Sequence, residues 1–149
     1  MVIPRYTYNN LSKEPNYIYA VPIGIGYVAS AIKKAGYNLD FLNLNHFYGT
    51  VESILSEALR EKRYDVVMTG SMALEYAVIE KIISVCRTYS PNSKIILGGQ
   101  IITSEPELMT KNLDFDFGVI GEGEISAVEL LKCIEKRGDF RKVDGLCWK

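Results

Sequence analysis

Three turns hold the residues of this chain best suited to binding chemistry: Ser71-Met72-Ala73-Leu74, Gly98-Gly99-Gln100 and Gly121-Glu122-Gly123, each following an apolar run. The central one closes the stretch Lys94 to Gln100, KIILGGQ. A short apolar run ending in two glycines predicts a buried parallel strand whose carboxyl end lets something approach its backbone. Without a Cβ in the way, a large planar or phosphate-bearing ligand could lie there, and βα turns are where open α/β sheets bind ligands. The competing reading is a tight turn and nothing more. Ser71 can donate a hydroxyl hydrogen bond to a ligand or cap the helix it precedes. Glu122 and Glu124 stand near a helix N-terminus, where the dipole favours negative charge, so they suit either a ligand contact or a local electrostatic role.

Other chemistries find less support. His46 is the single histidine and stands in a loop without a carboxylate or cysteine at ligand spacing, which reads as a loop side chain. No Ser–His–acid arrangement, Walker sequence or HExxH occurs, so no catalytic residue and no metal ligand is assigned. Gly24-Ile25-Gly26-Tyr27-Val28-Ala29 matches G-x-G-x-x-A and opens a helix, which raises a dinucleotide site. Against it, Pro22 precedes the first glycine, and Asn43 and Asn45 occupy the end of the next strand, where a ribose-binding acid is wanted.

These turns need a scaffold, and hydropathy periodicity supplies one. Met1 to Ile3 reads as a short first strand, Arg5 to Pro22 as a long loop in which Tyr17 to Val21 could form a strand, and Gly24 to Ala35 as an amphipathic helix closed by Gly36. Tyr37 to Leu44 alternates as a second strand, and Val51 to Arg60 is helical. Tyr64 to Met68 is a buried strand, Leu74 to Tyr89 a helix ended by Ser90 and Pro91, and Lys94 onward the fourth strand. A short helix around Glu105 to Thr110, a strand over Phe115 to Ile120 and a helix from Ile125 to Glu135 follow. Strand and helix alternate five times. That pattern predicts an α/β domain with a doubly wound five-stranded parallel sheet, flavodoxin- or Rossmann-like, in the order 2-1-3-4-5. In such a sheet the turns after strands three, four and five lie side by side. Lys142 to Lys149 reads as one more strand, and its apolar Leu146-Cys147-Trp148 suggests that another domain begins there.

Bulk properties narrow the partners. The chain has 149 residues, 48% hydrophobic and 23% charged, which suits one globular domain able to fold without staples. With 17 basic and 18 acidic side chains the net charge is −1, so neither nucleic acid nor an anionic membrane is an expected partner. Cys86, Cys133 and Cys147 are widely spaced and odd in number, which argues against disulfides and a protein-built zinc or iron–sulfur site and fits a reducing cytoplasm. No apolar run approaches the roughly 20 residues of a membrane span.

Taken together, four stretches resemble a known family. Pro22-Ile23-Gly24 leading through Gly26-Tyr27-Val28-Ala29 to Gly36-Tyr37, Tyr64-Asp65-Val66-Val67 running on to Ser71, Leu97-Gly98-Gly99, and Gly121-Glu122-Gly123-Glu124 are similar, in this order, to the N-terminal cobalamin-binding domain of class B radical SAM enzymes. Within it, the anaerobic magnesium-protoporphyrin IX monomethyl ester cyclases and related methyltransferases are nearest in flavour, with Pro4-Arg5-Tyr6 matching the end of their first strand.

The resemblance implies a corrin ring across the carboxyl edge of the sheet, its nucleotide tail entering beside strand four. Gly98, Gly99 and Gln100 would line the tail's channel, Ser71, Met72, Ala73 and Leu74 would flank it, and Gly121, Glu122 and Gly123 would meet the ring or its amides. The D-x-H-x-x-G loop by which classical cobalamin enzymes ligate cobalt is absent after strand one, and His46 follows the wrong strand to replace it. The three cysteines of C-x-x-x-C-x-x-C are also absent, so S-adenosylmethionine and the 4Fe–4S cluster are expected in a separate C-terminal radical SAM domain of the same polypeptide. Residues 1–149 would then bind and present cobalamin without turning over substrate. Two alternatives stay open: the same fold without its cofactor, serving as a docking or substrate-recognition domain, and a dinucleotide-binding domain using Gly24 to Ala29.

Overall fold

The structure, a computed structural model, describes residues 1–5 and 22–148. The possible strand over Tyr17 to Val21 falls outside them. A central sheet carries helices on both faces. Its strands are β1 (Val2–Ile3), β2 (Leu42–Asn43), β3 (Val66–Gly70), β4 (Lys94–Gly98), β5 (Phe117–Val119) and β6 (Leu146–Trp148). They lie in the order β2-β1-β3-β4-β5-β6. All pairings are parallel except β5 with β6, so the expected 2-1-3-4-5 core is present and the C-terminal run adds a sixth, antiparallel edge strand.

The helices are α1 (Ile23–Lys34), α2 (Val51–Glu61), α3 (Tyr76–Tyr89), α4 (Gln100–Ser104), α5 (Pro106–Asn112) and α6 (Gly123–Lys136). Local chemistry explains several boundaries. The Thr50 hydroxyl accepts from the Ser53 amide while Ser53 Oγ accepts from the Thr50 amide, a capping box that opens α2. Pro106 sits at the start of α5, where its missing N–H costs nothing.

Alternation along the strands sorts side chains into two cores. Ile95 and Leu97 of β4, with Val67 of β3, pack against Ile54 and Leu55 of α2, Ile79, Ile82 and Ile83 of α3, and Ile101, Ile102 and Met109 of α4 and α5. Ile96, Met68, Phe117 and Val119 point the other way, onto Ile32 of α1 and Ala127, Leu130 and Leu131 of α6. Ile95, Ile96 and Leu97 are at most 1% exposed, and burying each such side chain contributes about 1.5–3 kcal/mol.

Two differences from the sequence expectation affect the carboxyl edge. The second strand is only Leu42–Asn43, because its partner β1 offers two residues before Pro4, which lacks the N–H a ladder needs. The segment after Gly99 turns directly into α4, where a loop was expected ahead of the short helix.

Candidate functional site

A cavity of about 480 Å³ opens at the carboxyl edge of β3, β4 and β5, on the face covered by α1 and α6. Its floor is apolar. Met68, Ile96 and Val119 come from consecutive strands of the sheet, and Ile25, Val28 and Ala127 from the two helices. These strand residues are the ones alternation turns toward α1 and α6, so the same period that builds the second core leaves its upper end open. Polar groups ring the mouth: Ser71, Gln100, Thr103, Glu122 and Glu124, together with the backbone of four glycines, Gly70, Gly98, Gly99 and Gly121.

Close backbone approach sets the mouth. Gly70 and Gly98 are register partners, and a Cβ on Gly70 would overlap the Gly98 carbonyl, whereas a Cβ on Gly98 would meet no atom within 4 Å. Gly99 follows with φ of +80°, a conformation that strains any other residue, and it brings the Ile101 amide to 2.9 Å from the Ser71 carbonyl, to which it donates. The Thr103 hydroxyl accepts from the Gly121 amide at 3.0 Å, tying the turn after β5 to the end of α4. Three loops are thereby held in one rim.

Of the residues singled out from the sequence, Ser71, Met72, Gly98, Gly99, Gln100, Gly121, Glu122 and Gly123 all line this cavity. Ala73 and Leu74 do not: they enter a 3-10 turn, and Leu74 is 78% exposed. Ser71 does not cap a helix, and Glu122, although it stands at the N-cap of α6, makes no side-chain capping bond. The apolar floor and Thr103 had no separate sequence signal, since Met68, Ile96 and Val119 read as ordinary strand interior.

Gly24 lines the cavity, but Gly24 and Gly26 lie inside the first turn of α1 and neither has positive φ. A dinucleotide fingerprint needs its glycines in the tight turn between strand and helix, so the geometry counts against that use. His46 is exposed in the turn after β2, with Nε2 3.1 Å from Asn43 Nδ2, and is not among the cavity residues. Among the described residues, no group of three or more His, Cys, Asp or Glu could hold a metal ion, and no helix is long and apolar enough to cross a membrane.

The residues present suit a large ring with an apolar appendage. The floor accepts an apolar group, the open space above Gly98 and Gly121 lets a ligand lie on backbone, and the rim supplies carboxylate, amide and hydroxyl partners for hydrogen bonds.

Comparison with known proteins agrees with this geometry. The chain is 32% identical over 139 residues to the anaerobic magnesium-protoporphyrin IX monomethyl ester cyclase of Cereibacter sphaeroides, covering 85% of this chain and 21% of that protein. A cyclase of the same name from Synechocystis is 25% identical over 131 residues, with 86% and 26% covered. The chain therefore spans about a quarter or less of the length of these relatives. In fold it matches the radical S-adenosylmethionine methyltransferase TsrM from Kitasatospora setae, solved with cobalamin and a 4Fe–4S cluster bound. The TM-score is 0.81 and the identity 18%, over 99% of this chain and 28% of that one. The cobalamin-dependent S-adenosylmethionine radical enzyme OxsB, solved with aqua-cobalamin and S-adenosylmethionine bound, matches with TM-score 0.78 and 16% identity, over 99% and 20%. The B12 binding domain family matches residues 17–131, which take in α1 through most of α6 and every turn of the rim, and the chain belongs to that family.

Proposed function

We propose that this chain binds cobalamin at the carboxyl edge of its sheet and presents it to a radical SAM domain of the same polypeptide. The observation that carries the reading is the cavity beside Gly98, walled by strand side chains and roofed by nothing where a Cβ is missing. Gly98, Gly99 and Gln100 line the channel for the nucleotide tail, Ser71 and Met72 flank it, and Gly121, Glu122 and Gly123 face the ring and its amides. When bound, cobalamin supplies a cobalt centre that can carry a methyl group or take part in an oxidation. The chain's own part is to bind, orient and exclude water. No histidine is among the described residues of the cavity, so the reading assigns no imidazole to cobalt.

The radical SAM partner rests on two supports. The relatives and solved structures that this chain matches are several times longer. Large apolar side chains also stand in water in and beside the cavity lining: Met72, which lines it, is 50% exposed, and Ile23 and Ile125, neighbours in sequence of the lining residues Gly24 and Glu124, are 77% and 73% exposed. With Leu74, they offer an apolar collar that a second domain could cover over the bound cofactor.

The test is an absorbance titration of the purified chain with hydroxocobalamin, followed by gel filtration. The expected result is corrin absorbance travelling with protein and a spectrum of cobalt without a protein imidazole. Corrin absorbance that never co-elutes, including with a chain extended to the relatives' length, would favour the cofactor-less docking domain.

A further inference from the structure

The carboxylates of the rim carry a consequence for which corrinoids the site accepts. Glu122 is exposed and Glu124 half-buried, both line the cavity, and neither has a hydrogen bond or ion pair among the described residues. Glu122 occupies the N-cap of α6 without capping it, so local helix chemistry leaves its oxygens unused. No lysine or arginine is among the cavity's described residues to neutralise the pair. An ionised carboxylate only accepts hydrogen bonds, and it accepts strongly from amide N–H groups. Cobalamin's ring is fringed with carboxamides, which donate. The same ring carrying free carboxylates would bring like charge to Glu122 and Glu124.

Resting on the cobalamin reading above, we infer that Glu122 and Glu124 are specificity-determining residues that select fully amidated corrinoids over those with free peripheral carboxylates. Both act through direct contact with the ring's side chains. The apolar floor holds the appendage common to both ligand types and does not discriminate.

The experiment compares hydroxocobalamin with its carboxylate derivatives, in which peripheral amides have been hydrolysed and the nucleotide tail kept. Each is titrated by absorbance into the wild-type chain and into E122Q/E124Q, with circular dichroism to confirm folding. The wild type is expected to bind the carboxylates about fivefold more weakly, the size of a like-charge contact at about 4 Å in bulk water, as suits a solvent-exposed rim. In E122Q/E124Q, and in the wild type at high salt, the gap closes to less than about twofold, because the repulsion is removed or screened. Equal binding of amide and carboxylate forms by the wild type overturns the inference, as does a gap that survives in E122Q/E124Q. If hydroxocobalamin binds neither the folded wild type nor a chain extended to the relatives' length, the cobalamin reading falls and this inference with it. Binding without discrimination removes only the latter.

Discussion

The Gly98 carbonyl stands where a Cβ on its register partner Gly70 would have to go, while a Cβ on Gly98 would meet no atom within 4 Å, so the two glycines are required for opposite reasons. At Gly70 a methyl group collides with backbone that cannot move without breaking the β3–β4 ladder. Gly70→Ala should cost about 2 kcal/mol or more and lower the melting temperature by roughly 5 °C. At Gly98 a side chain points into open cavity and φ is not positive. Gly98→Val should therefore keep stability within about 1 kcal/mol, helped by valine's fit to a strand. On the proposed function it should weaken corrinoid binding by more than about tenfold, since the added methyls occupy the space the ligand needs. Thermal unfolding and absorbance titration of the two variants check this. Unchanged corrinoid affinity in Gly98→Val would remove Gly98 from the site.

Arg5 connects the end of β1 to the turn after β2 from an almost buried position, 6% exposed. Its Nε and Nη2 donate to the Leu44 carbonyl at 3.1 and 2.9 Å, Nη2 also to Phe47 at 2.6 Å, and Nη1 to Gly49 at 2.8 Å. Three carbonyls thus depend on one planar fork. Lysine cannot reproduce that geometry, so Arg5→Lys should lose roughly 2 kcal/mol in urea unfolding, and Arg5→Met more, because it leaves the carbonyls without a donor. A loss below about 0.5 kcal/mol in Arg5→Met would show that water satisfies them.

What could be read in the sequence followed from strong periodicity, and what could not followed from its absence. The run Lys-Ile-Ile-Leu-Gly-Gly locates β4 and the rim because buried β-branched residues closing on paired glycines leave few alternatives. The stripes of α1, α2 and α6 are equally legible. Leu39 and Phe41 alternate as a strand should, yet Phe41 is 45% exposed and only Leu42 and Asn43 pair, since the two-residue β1 limits its neighbour. Ile101, Ile102 and Thr103 hid α4 because β-branched residues have low helix propensity, and burial against the sheet outweighs it here. The cavity floor was illegible for a different reason. Alternation shows that Met68 and Ile96 share a face of the sheet, but not that the helices above that face stop short of their ends.

Asp116 ties the start of β4 to the segment before β5. It accepts from the Ile95 amide at 2.8 Å, from Arg87 Nη2 at 2.9 Å and from Lys94 Nζ at 2.8 Å. Burial pulls its carboxyl upward, but the Ile95, Lys94 and Arg87 hydrogen bonds together outweigh it and hold the group below the usual carboxylate range. A depressed folded value means stability that is present above the unfolded value near 3.9 and is lost as pH falls through the folded one. Asp116→Asn should cost about 1 kcal/mol at pH 7, Lys94 contributing little because half of it is in water. The deficit should shrink as pH falls below about 4, where the wild type's unfolded state takes up the proton that its folded state resists. Urea unfolding of both proteins from pH 3 to 7 measures it. A deficit that stays constant across that range would assign the loss to packing and not to charge.

The three thiols divide by depth, and none lines the cavity. Cys86 is fully buried on α3 in the core opposite the site, and burial pushes its thiol up to about 12, with Arg87 and the N-terminal amine pulling more weakly the other way. A thiolate is the reactive form, so Cys86 should resist a disulfide exchange reagent at pH 8 until the protein opens. Cys133 and Cys147, both half-buried, should label first. Mass mapping after timed labelling, with and without urea, distinguishes the sites. Native labelling of Cys86 as fast as the other two would mean that α3 opens locally. Because no thiol reaches the rim, protein labelled at Cys133 and Cys147 should still bind hydroxocobalamin with affinity within about twofold of the unlabelled chain. Cys147 packs beside Gly118 of β5, one strand from the turn at Gly121, so a larger loss on labelling would show that β6 holds that turn in place.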